Sequence, residues 1–240
     1  MFLLLCFKMS YQISSQTTTK HHNQIKSQIS PWVSGLLYSL GSYVILPSFF
    51  GKIKITGQEN IPQHNPVIVT PTHRSRWDAF IIPYAVGRLV SGRDLRFMVS
   101  SNETKGIQGW FVRRMGCFPV DTQHPKANSV IHSLKLLQDN EMVVIFPEGG
   151  IFRDQKIHQL KRGAALIALE FQLEQSHKKV KILPVTIKYS QPYPSWQTKV
   201  TVDIGVALDA SNYLEKSLRK SSQKLTQALQ SKLQKMSEKI

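Results

Sequence analysis

The sequence predicts an α/β fold: a mixed, largely parallel central sheet flanked by helices, preceded by an N-terminal membrane-associating helical segment. Three observations lead there. From Lys52 onward, short β-branched runs alternate with helical stretches, the pattern of strands joined by helical crossovers. Ahead of them, no charged side chain occurs between Lys26 and Lys52. Finally, 240 residues with 41% apolar and 19% charged side chains suit one sizeable core and leave little room for two full domains.

Residues 1–28 begin with an apolar run, Phe2 to Phe7, that is too short for a signal peptide and lacks its basic flank and cleavage site. Met9 is an alternative start. From Ser10 the chain is rich in Ser, Thr, Gln and His without apolar periodicity, as expected of a mobile tail. Residues 29–51 form the membrane-associating segment. Its length is marginal for a span, its Ser and Gly residues weaken it further, and Trp32, Tyr38 and Tyr43 suit an interface. We read it as a helix lying in one leaflet, against the alternatives of a single span or a buried first helix.

Residues 52–240 form the α/β domain. Strands are expected at Lys52–Thr56, Val67–Thr70, Leu95–Val99, Cys117–Val120, Met142–Phe146, Lys181–Ile187 and Val200–Val206. Helices are expected at Trp77–Val90, Lys126–Gln138 and Gln159–Gln172. The domain ends in a basic amphipathic helix over Tyr213–Ile240 whose stripe is Leu214, Leu218, Leu225, Leu229, Leu233 and Met236. Docking on the core and binding to anionic lipid are both open to it.

Charge is the distinctive bulk property. There are 31 Lys and Arg against 15 Asp and Glu, a net charge of +16, so the partner is anionic: a lipid surface, a phosphorylated substrate or nucleic acid. No helix-turn-helix, zinc-finger or aromatic RNA-binding pattern is present, so no nucleic acid is expected. Two distant cysteines, Cys6 and Cys117, form no metal or disulfide pattern and fit a reducing compartment. No metal site is expected, and a serine hydrolase fails for want of a Gly-x-Ser-x-Gly elbow.

The segment Pro66 to Asp78 carries the chemistry. A strand ends near Thr70, a loop holds His73-Arg74-Ser75, and a helix begins near Arg76. Ser75 and Asp78 fit a helix-capping box, the plain explanation of the aspartate. With His73 in the loop, however, the chain can fold back until Asp78 reaches one imidazole nitrogen. That contact fixes the tautomer and frees the other nitrogen as a base. A second strand runs into Phe146-Pro147-Glu148-Gly149. Ligands of parallel sheets bind beyond the carboxyl ends of strands, so His73 and Glu148 can meet there. Glu148 also has a structural reading, as a carboxylate held by backbone N–H groups of its own turn.

On these residues the sequence resembles the PlsC-type glycerolipid acyltransferases, which include 1-acylglycerol-3-phosphate acyltransferases. The resemblance runs from about Lys52 to about Tyr189. His73 and Asp78 match the family's His-x4-Asp block, Gly116 to Asp121 its second, Phe146 to Gly149 the start of its third, and Leu183-Pro184-Val185 its fourth. Thr122 stands where the second block usually ends in arginine, and Arg153 comes two places later than the third block's arginine.

The resemblance implies His73 and Asp78 as catalytic residues, acting without an acyl-enzyme. Glu148, Gly149, Arg153, Arg74 and Arg76 are the implied substrate-binding residues, with Arg113, Arg114, Lys161 and Arg162 as further candidates for the acceptor phosphate. It implies no cofactor beyond acyl carrier protein or coenzyme A thioester as co-substrate. The implied acceptor is the sn-2 hydroxyl of 1-acylglycerol 3-phosphate, with another lysophospholipid or glycerol 3-phosphate as the alternative. The expected location is the cytoplasmic face of a cell membrane. A non-catalytic basic membrane- or nucleic-acid-binding protein is the competing class.

Overall fold

The computed structural model describes residues 35, 38–100, 116–120 and 127–239. The tail expected over 1–28, most of the apolar segment before Tyr38, and Arg113, Arg114 and Thr122 lie outside the described residues.

Among the described residues, eight strands form one sheet: β1 (Lys52–Thr56), β2 (Val67–Pro71), β3 (Leu95–Ser100), β4 (Phe118–Val120), β5 (Met142–Val144), β6 (Lys181–Tyr189), β7 (Lys199–Ile204) and β8 (Leu208–Asp209). Their order is β1-β7-β6-β2-β5-β3-β4, with β8 beside the start of β6. Strands β2 to β6 run parallel to one another. Both β7 and β8 run antiparallel to β6, and β1 follows β7. The sheet is therefore mixed and largely parallel, as the alternating pattern implied.

Both faces of the sheet are covered. Side chains alternate along a strand, so a strand buried on both sides reads as one apolar run. On β2, Val67 and Val69 face one core while Ile68 faces the other. Likewise Met142 and Val144 of β5 oppose Val143. The first core is closed by α1 (Leu46–Phe49), which continues a π-helical stretch Gly41–Ile45, and by α2 (Asp78–Val86). The second is closed by α4 (Ala127–Gln138), α5 (Gly163–Glu174) and α6 (Leu218–Lys239). Among the described residues, no helix is long and apolar enough to cross a membrane.

Three helices differ from expectation. The helix expected over Trp77–Val90 divides into α2 and α3 (Arg88–Ser91) at Gly87, whose backbone is extended. A Cβ there would lie 2.4 Å from the Pro83 carbonyl oxygen and 2.8 Å from the Tyr38 ring, so glycine lets the π-helical segment pack against the break. The helix expected from Gln159 starts at Gly163, because the Lys161 N–H donates to the Pro147 carbonyl at 2.8 Å. The last, expected from Tyr213, starts at Leu218, because Ala210–Tyr213 forms a separate 3-10 turn and Leu214 is extended.

The stripe of α6 docks on the core: Leu225, Leu229 and Leu233 are buried with α5 and the sheet. Replacing Leu229 by alanine removes buried methyl groups and leaves a cavity, so Leu229→Ala should lower unfolding free energy by about 2–5 kcal/mol. Urea denaturation checks this, and a loss well under 1 kcal/mol would mean that α6 is not part of the core.

Candidate active site

The site grows from the end of β2. Pro71 has no N–H, but the ladder continues past it: Thr72 N–H donates to the Val185 carbonyl at 3.0 Å, and Thr72 Oγ1 accepts the Ile187 N–H at 2.9 Å. The loop 72–75 therefore leaves a central strand already fastened to β6. It then meets α2, whose first residue is Asp78.

Asp78 is fully buried and accepts four hydrogen bonds. Its Oδ2 takes the Arg74 N–H at 2.6 Å, the Ser75 N–H at 2.9 Å and the His73 Nδ1 contact at 2.9 Å. Its Oδ1 takes the Tyr189 hydroxyl at 2.7 Å. A buried carboxylate needs such donors, and the helix N-terminus favours its charge further. The capping and orienting explanations of Asp78 thus describe one arrangement: the carboxylate that ties the loop also faces the imidazole. Since an ionised carboxylate only accepts, Nδ1 carries the proton and Nε2 presents its lone pair. No hydrogen bond from the described residues reaches Nε2. The ring is stacked on Phe146 at 4.0 Å, and its side chain is 20% exposed.

Tyr189 escaped the sequence reading. Burial, together with the Asp78 charge beside it, pushes its hydroxyl far above the usual phenol range, so it remains a donor. It sits at the end of β6, 111 residues from Asp78. The loop after β2 brings the two together, and no local motif signals it.

Glu148 anchors the loop from the other side. Its Oε2 accepts the His73 N–H at 3.0 Å and Arg74 Nη1 at 2.8 Å, and its Oε1 accepts the His158 N–H at 3.0 Å. Arg74 is placed differently from the phosphate ligand suggested by the sequence. Its guanidinium is buried against Glu148 and also donates to the carbonyls of His73, Phe152 and Lys156. A buried arginine needs that pairing, and both Nη1 and Nη2 donate to protein oxygens.

The remaining predicted residues lie around this frame. Gly149 has φ 73°, a left-handed conformation that favours glycine. A Cβ there would come 2.5 Å from Lys161 Cε and 2.7 Å from its Nζ, so the glycine lets the lysine chain lie across the turn. Arg153 is exposed and stands 4.7 Å over the Tyr193 ring, directly after Phe152, whose N–H donates to the His73 carbonyl at 2.8 Å. Arg76 is exposed on the same loop, before α2. Cys117 is buried, which pushes its thiol up to about 12 and removes it as a nucleophile.

The fold and this loop–helix site define a class. The Acyltransferase family model matches residues 52–188, and the chain belongs to that family. Among characterised relatives, it is 29% identical over 147 residues to the 1-acyl-sn-glycerol-3-phosphate acyltransferase of Streptococcus pneumoniae, covering 60% of this chain and 50% of that protein. It is 32% identical over 126 residues to the enzyme of the same description from Bacillus subtilis, covering 52% of this chain and 60% of that one. The matched region thus spans between half and three-fifths of those relatives. The crystal structure of the 1-acyl-sn-glycerophosphate (LPA) acyltransferase PlsC from Thermotoga maritima superposes with a TM-score of 0.65 at 18% identity, over 87% of this chain and 80% of that one.

The Glu148 arrangement has a direct consequence for stability. Glu148→Gln leaves Arg74 buried without its counter-charge, a change that typically costs about 3–5 kcal/mol. Urea or thermal unfolding at neutral pH should show that loss. Unchanged stability would mean that the Glu148–Arg74 pair is open to solvent.

Proposed function

We propose that the chain is an O-acyltransferase that moves a fatty acyl group from an acyl carrier protein or coenzyme A thioester to the sn-2 hydroxyl of 1-acylglycerol 3-phosphate, giving phosphatidic acid at the cytoplasmic face of a membrane. One observation carries the reading: the His73 Nδ1 contact with Asp78 Oδ2 at 2.9 Å, which leaves Nε2 without a hydrogen bond from the described residues, beyond the end of β2. The activities named for the Streptococcus pneumoniae and Bacillus subtilis relatives support the choice of acceptor.

The chemistry follows from the tautomer. His73 Nε2 takes the proton of the acceptor hydroxyl as its oxygen attacks the thioester carbonyl. The tetrahedral intermediate then collapses, the C–S bond breaks, and the thiolate leaves with the proton returned by the imidazolium. Asp78 stabilises the imidazolium formed in between, and no acyl-enzyme is required. Arg153 is the proposed ligand of the acceptor phosphate. Its guanidinium face rests on Tyr193, which leaves its N–H edge for phosphate oxygens. Arg76 and the Lys161 ammonium across Gly149 are the cations that would supplement it. Glu148 and Arg74 act through the loop they hold.

The test is acyl transfer by the purified, detergent-solubilised protein, offered both donors with 1-acylglycerol 3-phosphate, other lysophospholipids and glycerol 3-phosphate. His73→Ala should reduce kcat by about 10²–10⁴-fold with unfolding unchanged. Arg153→Ala should raise the acceptor KM about tenfold or more while kcat holds. Near-native turnover by His73→Ala removes the base assignment. Absence of transfer by the wild type with every donor and acceptor would favour the non-catalytic binding protein.

Tyr189→Phe offers a subtler readout. Losing the hydroxyl takes one of the four donors from the buried Asp78 carboxylate. Unfolding free energy in urea should fall by about 1–3 kcal/mol. Unchanged stability would mean that the hydroxyl does not hold Asp78.

A further inference from the structure

We infer that the β6–β7 hairpin, residues 190–198, is a lipid-docking element that seats Trp196 and Tyr193 in the interfacial layer of an anionic bilayer beside the His73–Asp78 loop. This rests on the proposed function only in that a lysophospholipid acceptor would be met at such a surface.

The first observation is exposure. Tyr193 is 72% exposed and Trp196 65%, although both are large rings that a soluble domain ordinarily buries. Rings with a polar edge and an apolar body suit the membrane–water boundary. The hairpin that carries them is also held in place. The Ser190 N–H donates to the Lys199 carbonyl at 2.9 Å, the Lys199 N–H to Ser190 Oγ at 3.0 Å, and the Ser195 N–H to Thr198 Oγ1 at 2.8 Å. A rigid loop loses little entropy when it docks.

The second observation is continuity with other exposed apolar residues. The Gln197 N–H donates to the Phe49 carbonyl at 2.9 Å, and the Gly51 N–H to the Thr198 carbonyl at 3.2 Å. The Trp196 ring meets Phe49 edge-on at 6.3 Å. Phe49 ends the helical segment that exposes Leu40, Tyr43 and Val44. From Phe49 the aromatic row continues to Trp77, stacked at 4.5 Å, and then to Phe80 at 5.8 Å. Trp77 directly precedes Asp78. The row, exposed at Trp196 and Phe80 and half-buried at Phe49 and Trp77, thus passes the catalytic loop.

Charge selects the occupant. At the base of the hairpin, Lys52 and Lys199 are register partners on β1 and β7, and both are exposed. Like charges opposite one another on neighbouring strands are unfavourable. Two residues further along, Lys54 pairs with Thr201, which pairs with Lys188. Aromatic tips above a lysine base match headgroup phosphates lying beneath an acyl layer. An acidic carrier protein would meet the lysines but offers no apolar layer for the rings, so we commit to the lipid surface.

The test uses the full chain and sedimentation with vesicles of phosphatidylcholine, alone or mixed with phosphatidylglycerol. Trp196→Ala should weaken partition into the mixed vesicles about tenfold, while Trp196→Phe retains most of it. Lys52→Glu with Lys199→Glu should remove the preference for phosphatidylglycerol. Emission quenched by brominated lipid should fall in Trp196→Phe relative to wild type, a readout that binding through other segments does not mask. Turnover of a short-chain, monomeric acceptor should stay near wild type in Trp196→Ala. Unchanged partition together with unchanged quenching overturns the inference. So does unchanged partition with a raised KM for the acyl-carrier-protein donor, which would make this face a donor dock. Failure of the proposed function is separate: the wild type would transfer no acyl group, while vesicle partition still decides the role of the hairpin.

Discussion

Burying a carboxylate without hydrogen-bond donors is prohibitively costly, and this protein buries two of them, Asp78 and Glu148, on either side of one loop. Most of the donors come from the loop itself, joined by the Tyr189 hydroxyl and the His158 N–H. Asp78 draws in the amides of Arg74 and Ser75, and Glu148 takes the amide of His73 and the guanidinium of Arg74. With both carboxylates satisfied, the loop is fastened on both sides, and the His73 ring lies between Asp78 and Phe146. The same bonds that stabilise the fold also orient the base, so the two roles cannot be separated by inspecting either residue alone.

That loop is held because of where it starts. Strand β2 is central, flanked by β5 and β6, and all five of its residues are buried. The turn after β5 brings Phe146 under the imidazole and Glu148 behind it, while the end of β6 brings Tyr189 to Asp78. Three neighbouring parallel strands thus deliver their carboxyl ends to one place. The aromatic row from Phe80 through Trp77 and Phe49 to Trp196 lies along the edge of that place.

Much of this was legible in the sequence, because strands buried on both faces announce themselves as unbroken β-branched runs. The β2 and β5 segments were located that way, and the residues that follow them, His73 and Glu148, carried the motif. Partnerships across the sheet were less legible. Tyr189 reads as the end of an ordinary strand until the loop after β2 brings Asp78 to its hydroxyl. Arg74 reads as a free cation beside the base, and only the structure shows it buried against Glu148. The sequence extends β5 to Phe146, yet the strand ends at Val144, with one further bond from the Ile145 N–H to the Val69 carbonyl, and the Phe146 ring stacks on His73. Local pattern specifies elements, whereas side-chain pairing over 70 or more residues depends on register and packing.

The central claim is that Asp78 fixes His73 with the proton on Nδ1 and the lone pair on Nε2. Nitrogen-15 NMR of histidine-labelled protein in detergent, with His73 assigned by its loss in His73→Ala, measures this directly. The account predicts a protonated Nδ1 and an unprotonated Nε2 near neutral pH, with that preference lost in Asp78→Asn. A wild-type ring protonated on Nε2, or a tautomer indifferent to Asp78→Asn, would contradict it.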